Sequence, residues 1–99
     1  MAAMVALAPI VASAADWYVH GTLSNITSTA EGLLVMLDSG TPTNCAGTPY
    51  GWMLIKEANK TMVATALTMW LSGQRAVTIY TNPFSSGQSF CVVSQIDPD

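Results

Sequence analysis

Between Trp17 and Thr27 apolar and polar residues alternate: Trp17, Val19, Gly21 and Leu23 fall on one face, Tyr18, His20, Thr22 and Ser24 on the other. A period of two with aromatic and β-branched residues predicts a strand with one buried face. A turn over Ser28 to Gly32 leads into Leu33 to Leu37, a continuous apolar run that suits a strand buried on both faces. The next segment, Asp38 to Pro49, is rich in Gly, Thr, Pro and Asn and is predicted as a loop, with Tyr50 to Ile55 as a third strand. The period then changes. From Asn59, a candidate N-cap, to Ser72, with Gly73 placed to end it, the spacing is helical. Val63, Leu67, Trp70 and Leu71 form its apolar stripe, widened by Met62, Ala66 and Met69, and Thr61, Thr65, Thr68 and Ser72 lie opposite. Ala76 to Thr81 and Ser89 to Ile96 complete the pattern as two further strands, joined by a turn over Asn82 to Gly87.

Residues Met1 to Ala15 stand apart. They carry no charge and close on small residues at Ala12, Ser13 and Ala14, which matches the apolar core and cleavage pattern of a secretory signal. The expected division is therefore a removed or truncated signal over residues 1–15 and one domain over 16–99. No basic residue precedes the apolar run, and an ordered N-terminal helix or strand is the alternative. The run is too short, and too interrupted by Pro9, to span a membrane.

Composition narrows the partners. The chain is 51% apolar and 9% charged, with three Lys and Arg against six Asp and Glu. Three cations cannot build a phosphate-binding stripe, so nucleic-acid binding is excluded as an expectation. The two cysteines, Cys45 and Cys91, are most simply a disulfide, which in a domain this small stabilises by ~3 to 4 kcal/mol and implies an oxidising compartment. Secretion or a periplasmic location follows as the expected address. A zinc site is the poorer reading, because His20 alone could join the cysteines.

Three strands, a helix and two strands, in a chain too short for parallel crossovers around every strand, predict a mainly β fold in the order β-β-β-α-β-β. A five-stranded, partly open Greek-key barrel of the OB type, plugged at one end by the helix, accommodates every element. An open antiparallel sheet with the helix across one face is the alternative.

The stretch Leu71 to Tyr80, LSGQRAVTIY, following a helix that bears Ala66 and Trp70, resembles the helix-to-strand passage of the secreted OB-fold B subunits of bacterial subtilase-type and pertussis-like toxins. The resemblance extends over the domain in outline and over about ten residues in motif. It departs from those subunits in one respect: they carry a cysteine on the second strand, and Leu33 to Leu37 has none. It implies a homopentameric ring with helices lining a channel, and glycan binding on the outer barrel wall. The uncharged strip Thr61, Thr65, Thr68 and Ser72 is then the expected oligomer interface.

In such a barrel the first and fourth strands are neighbours, which brings Tyr18, His20, Thr22 and Ser24 beside Thr78 and Tyr80. Tyr18, His20, Thr78 and Tyr80 are the candidate ligand residues, because rings stack on the C–H faces of sugars while hydroxyls and imidazole exchange hydrogen bonds. The same residues can equally be cross-strand pairs that stabilise a sheet without a ligand.

Enzymatic chemistry is not expected. His20 is the only histidine, and it makes a Ser-His-Asp set only by free choice of Asp16 or Asp38. No G-x-S-x-G elbow, P-loop, dinucleotide fingerprint or metal-ligand spacing occurs, so no cofactor or metal is anticipated. Asn25-Ile26-Thr27 and Asn59-Lys60-Thr61 match the N-glycosylation acceptor, a pattern short enough to arise often by chance. The expectation is a secreted binding module that contacts a glycan or an envelope protein. The alternative is a structural or interaction protein of the bacterial envelope with no small ligand.

Overall fold

A computed structural model describes residues 17–99; the expected signal segment, its boundary at residue 16 and Asp16 lie outside them. The elements in chain order are β1 (Tyr18–Thr29), β2 (Gly32–Leu37), β3 (Met53–Lys56), α1 (Lys60–Ser72), β4 (Ala76–Thr81) and β5 (Cys91–Pro98). The five strands close into a ring, β1-β2-β3-β5-β4 and back to β1. The open-sheet alternative is therefore not the observed architecture.

The length of β1 makes the closure. Its first half pairs antiparallel with β4, from Tyr18↔Tyr80 to Thr22↔Ala76, and its second half with β2, from Leu23↔Leu37 to Thr29↔Gly32. β3 pairs antiparallel with β2 and parallel with β5 through Met53↔Cys91 and Leu54↔Val92, and β4 pairs antiparallel with β5. Every strand thus has two neighbours, which removes free edges.

Alternation then sorts the side chains. Val19, Leu23, Val35, Met53, Ile55, Val77, Ile79 and Val93 fill the interior with Ala66 and Met69 of α1. Leu34, Leu54 and Val92 point the other way and form a second apolar cluster covered by Trp52 and Phe90, which is why the run Leu33 to Leu37 has no polar face. The disulfide Cys45–Cys91 is fully buried, with its Cα atoms 5.4 Å apart. Cys91 opens β5 while α1 follows the last residue of β3. Because those strands run parallel, bridge and helix sit at opposite ends of the barrel.

Several boundaries differ from expectation. β1 runs on to Thr29 and turns over Ala30 and Glu31 alone, where the Thr29 hydroxyl accepts from the Glu31 N–H at 3.1 Å and lies 3.3 Å from the Gly32 carbonyl oxygen. Gly32 is required there: its φ is +150°, and a Cβ would run into the Ile55 carbonyl oxygen. The third strand starts at Met53, because Pro49 to Gly51 form a 3₁₀ turn in which Tyr50 takes φ +58° and stands 88% exposed. β5 begins at Cys91 and runs to Pro98, held by its pairing with β4 up to Val77↔Pro98.

The helix is turned relative to its expected stripe. Ala66 and Met69 are buried, with Met62, Val63 and Trp70 packed beside them, whereas Leu67 and Leu71 are exposed. At roughly 100° per residue, Met62, Ala66 and Met69 centre the inner face and Ala64, Leu67 and Leu71 the outer one. Thr61, Thr65, Thr68 and Ser72 therefore form a flank of the helix, not its outermost face. Asn59 is the N-cap, but its side chain makes no capping bond, and Gly73 ends the helix at φ +81°.

Candidate functional site on the β1, β4 and β5 wall

One outer wall of the barrel is closed over by Trp52 and Phe90. The other, made by β1, β4 and β5, carries no such apolar cover among the described residues. Register stacks its outward positions in rows three strands wide: Tyr18, Tyr80 and Gln95; then His20, Thr78 and Asp97; then Thr22 and Ala76, with Asp99 beside them through its N–H to the Ala76 carbonyl. All four ligand candidates, Tyr18, His20, Thr78 and Tyr80, thus occupy two adjacent rows of one surface.

Trp17 joins them. The alternation placed it on the buried face, but it precedes the strand, its carbonyl accepts from Thr81 N–H, and the residue is 55% exposed. Its ring centroid lies 5.3 Å from that of Tyr18 in an edge-on arrangement and 5.3 Å from Tyr80, and Tyr18 and Tyr80 are 5.5 Å apart and tilted by 34°. These are favourable aromatic separations, so the three rings support one another and form a platform at the disulfide end.

Below the platform His20 Nδ1 lies 2.9 Å from the Asp99 carboxylate and 3.1 Å from the Thr78 hydroxyl. Both contacts use the same nitrogen, which fixes the ring and leaves Nε2 for another partner. A nucleophile–base–acid relay needs the nucleophile and the acid on different nitrogens. Of the two acids considered from the sequence, Asp38 accepts from Thr22 N–H at 2.9 Å while the imidazole meets Asp99 instead, and Asp16 lies outside the described residues. The loop after β2 braces this strand further, with Ser39 Oγ donating to the His20 carbonyl at 2.8 Å.

The disulfide end is held by polar bonds as well. Buried Thr81 donates to Asn44 Oδ1 at 2.7 Å and receives the Asn44 amide at its carbonyl, 3.0 Å, while Cys91 N–H donates to the Thr48 hydroxyl at 3.0 Å. These bonds anchor the long β2–β3 loop beside the platform.

Two grooves flank α1. The larger, about 730 Å³, runs between the helix and the β1–β2 hairpin over Leu33, Val63, Ala64 and Leu67, with Glu57 and Lys60 at its rim. The smaller, about 420 Å³, lies between Thr61, Thr65, Thr68 and Ser72 and the end of β5. The four residues expected at an oligomer interface therefore share one groove, although Thr65 is half-buried and its hydroxyl is engaged by the Thr61 carbonyl at 2.9 Å.

Sequence reasoning missed Trp17, Gln95, Asp97 and Asp99. The last three carried a signal, a period-two polar series at the end of β5, obscured because that strand was expected to stop at Ile96. Among the described residues no cluster of His, Cys, Asp or Glu is placed to hold a metal, and no helix is long and apolar enough to cross a membrane. No protein-family model, curated protein or solved structure matches the chain.

Proposed function

We propose that the protein is a secreted, non-enzymatic binding module of the OB-fold type that takes a glycan on the outer wall of β1, β4 and β5. The observation that carries the reading is the cluster of exposed Trp17 and Tyr18 with half-buried Tyr80, set beside a row of hydrogen-bonding side chains on the outer wall of β1, β4 and β5. Aromatic faces on a water-exposed sheet offer a sugar its C–H stacking surface, and His20 Nε2, Thr78 and Gln95 offer the directional bonds that fix its hydroxyls. The strand order, with its parallel β3–β5 contact and a helix between the third and fourth strands, supports the OB assignment. The buried disulfide supports an oxidising compartment, the periplasm or outside of a cell. The resemblance of Leu71 to Tyr80 to toxin B subunits points in the same direction.

A glycan array probed with the oxidised protein tests this reading. Binding that falls at least tenfold in Tyr80→Ala and His20→Ala is expected. Absence of binding, or binding indifferent to both substitutions, refutes it.

A second reading, an interaction protein of the envelope without a small ligand, is favoured by one observation: Leu67 and Leu71 are exposed on the outer face of α1, beside the larger groove. Sedimentation at micromolar concentration separates a self-associating ring, which the toxin resemblance implies, from a monomer.

A further inference from the structure

If the β1, β4 and β5 wall is a glycan surface, as proposed above, its charge selects the sugar. Asp97 and Asp99 stand on it, exposed, at the ends of two adjacent rows. Asp99 meets His20 at 2.9 Å, whereas Asp97 takes part in no ion pair among the described residues. The three cations of the sequence are all held elsewhere. Lys56 ends β3, Lys60 lines the groove beside α1, and the Arg75 guanidinium lies 3.7 Å over the Trp70 ring with a 2.9 Å bond to the Trp70 carbonyl.

We infer that the wall takes an amino sugar with a free, protonated amine in preference to its N-acetylated form, and rejects sugars that carry carboxylate or sulfate. The geometry gives the reach. Asp97 lies one row, two residues or roughly 7 Å, along the sheet from Tyr80 and Gln95, about the width of one pyranose ring. A sugar stacked on Tyr18 and Tyr80 therefore presents its next substituent to Asp97, and a second unit extends to Asp99. An ammonium group there gains a charge-assisted bond to Asp97, which has no ion-pair partner among the described residues, while Asp99 is shared with His20. A carboxylate or sulfate in the same place meets like charge and finds only His20 to offset it. Exposed pairs are individually weak, so two of them give a preference of roughly three- to tenfold, which salt screens away.

The test uses the disulfide-bonded protein and three probes: a glucosamine tetramer, the N-acetylglucosamine tetramer and tetragalacturonate, titrated calorimetrically at slightly acid pH. The glucosamine tetramer should bind roughly three- to tenfold more tightly than its acetylated counterpart, with tetragalacturonate weakest. The preference should vanish in about 1 M salt and in Asp97→Asn/Asp99→Asn. Glu57→Gln, beside the groove of α1, should leave it unchanged. Equal affinity for the two tetramers, or tighter binding of tetragalacturonate, overturns the charge selection while leaving the glycan reading intact. A loss in Glu57→Gln equal to that in the wall variant also overturns it, because attraction would then follow net charge. Binding of none of the probes overturns the amino-sugar preference, while the glycan reading itself stands or falls on the array.

Discussion

Reducing the Cys45–Cys91 bridge removes one bond and leaves every side chain in place, so it isolates what the crosslink does for the fold. The cysteines are 46 positions apart and wholly buried. For a loop of that length the chain-entropy relation gives about 4 kcal/mol of stabilisation from restriction of the unfolded state. A domain of this size has a total stability of roughly 4–12 kcal/mol, so reduction is expected to remove a third of it or more. In melting temperature, 1 kcal/mol corresponds to about 4–8 °C for a domain of 60–100 residues, which predicts a fall of roughly 16–32 °C. The assay is thermal and urea unfolding followed by circular dichroism, comparing oxidised protein with protein reduced under denaturant and returned to buffer with reductant. Because the native packing is common to both forms, Cys45→Ala/Cys91→Ala should lose at least as much as reduction does. A fall below about 5 °C on reduction would refute the reasoning: it would mean that the polar bonds of Asn44, Thr48 and Thr81 alone hold that end closed.

Other substitutions test individual features. Met69→Ala should cost about 2–5 kcal/mol in urea unfolding because Met69 is buried in the barrel end, whereas Leu71→Ala, at an 84% exposed position, should stay within about 0.5 kcal/mol. Reversal of that order would restore the apolar stripe expected from spacing alone. Thr81→Val keeps the shape and deletes the hydroxyl bonded to Asn44 Oδ1, for an expected loss of about 1–3 kcal/mol. Gly32→Ala should cost about 2 kcal/mol or more and slow refolding, since its φ of +150° and the nearby Ile55 carbonyl both resist a Cβ; unchanged stability would contradict the tight hairpin.

The strands were legible wherever one face of the sheet met water. β4 carries alternating AVTIYT and was read to the residue, and the fully apolar β2 announced burial on both sides, although nothing in its own sequence named Trp52 and Phe90 as the outer cover. The helix was found with both ends nearly right and its face wrong. Leu67 and Leu71 share the helical spacing of a core stripe, and hydrophobicity alone cannot state that the helix turns Ala66 and Met69 inward, with Met62, Val63 and Trp70 beside them. Tyr50 was read into β3 because its residue type favours strands, while Pro49 before it and Gly51 after it impose a turn. At the wall, the facing of Tyr18, His20, Thr78 and Tyr80 followed from period two once β1 and β4 were neighbours. Trp17 did not, because alternation governs only residues inside the strand, and Asp97 and Asp99 fell beyond the strand end that was expected.

The central claim, that a glycan lies on the wall of β1, β4 and β5, is tested most directly by mapping backbone amide shifts of the isotope-labelled, oxidised protein as an oligosaccharide retained on the array is added. Saturable shifts concentrated at Tyr18, His20, Thr78, Tyr80 and Gln95 are expected, with Val63, Ala64 and Leu67 beside the helix groove unmoved. Shifts centred on the helix groove, with the wall unmoved, would contradict it.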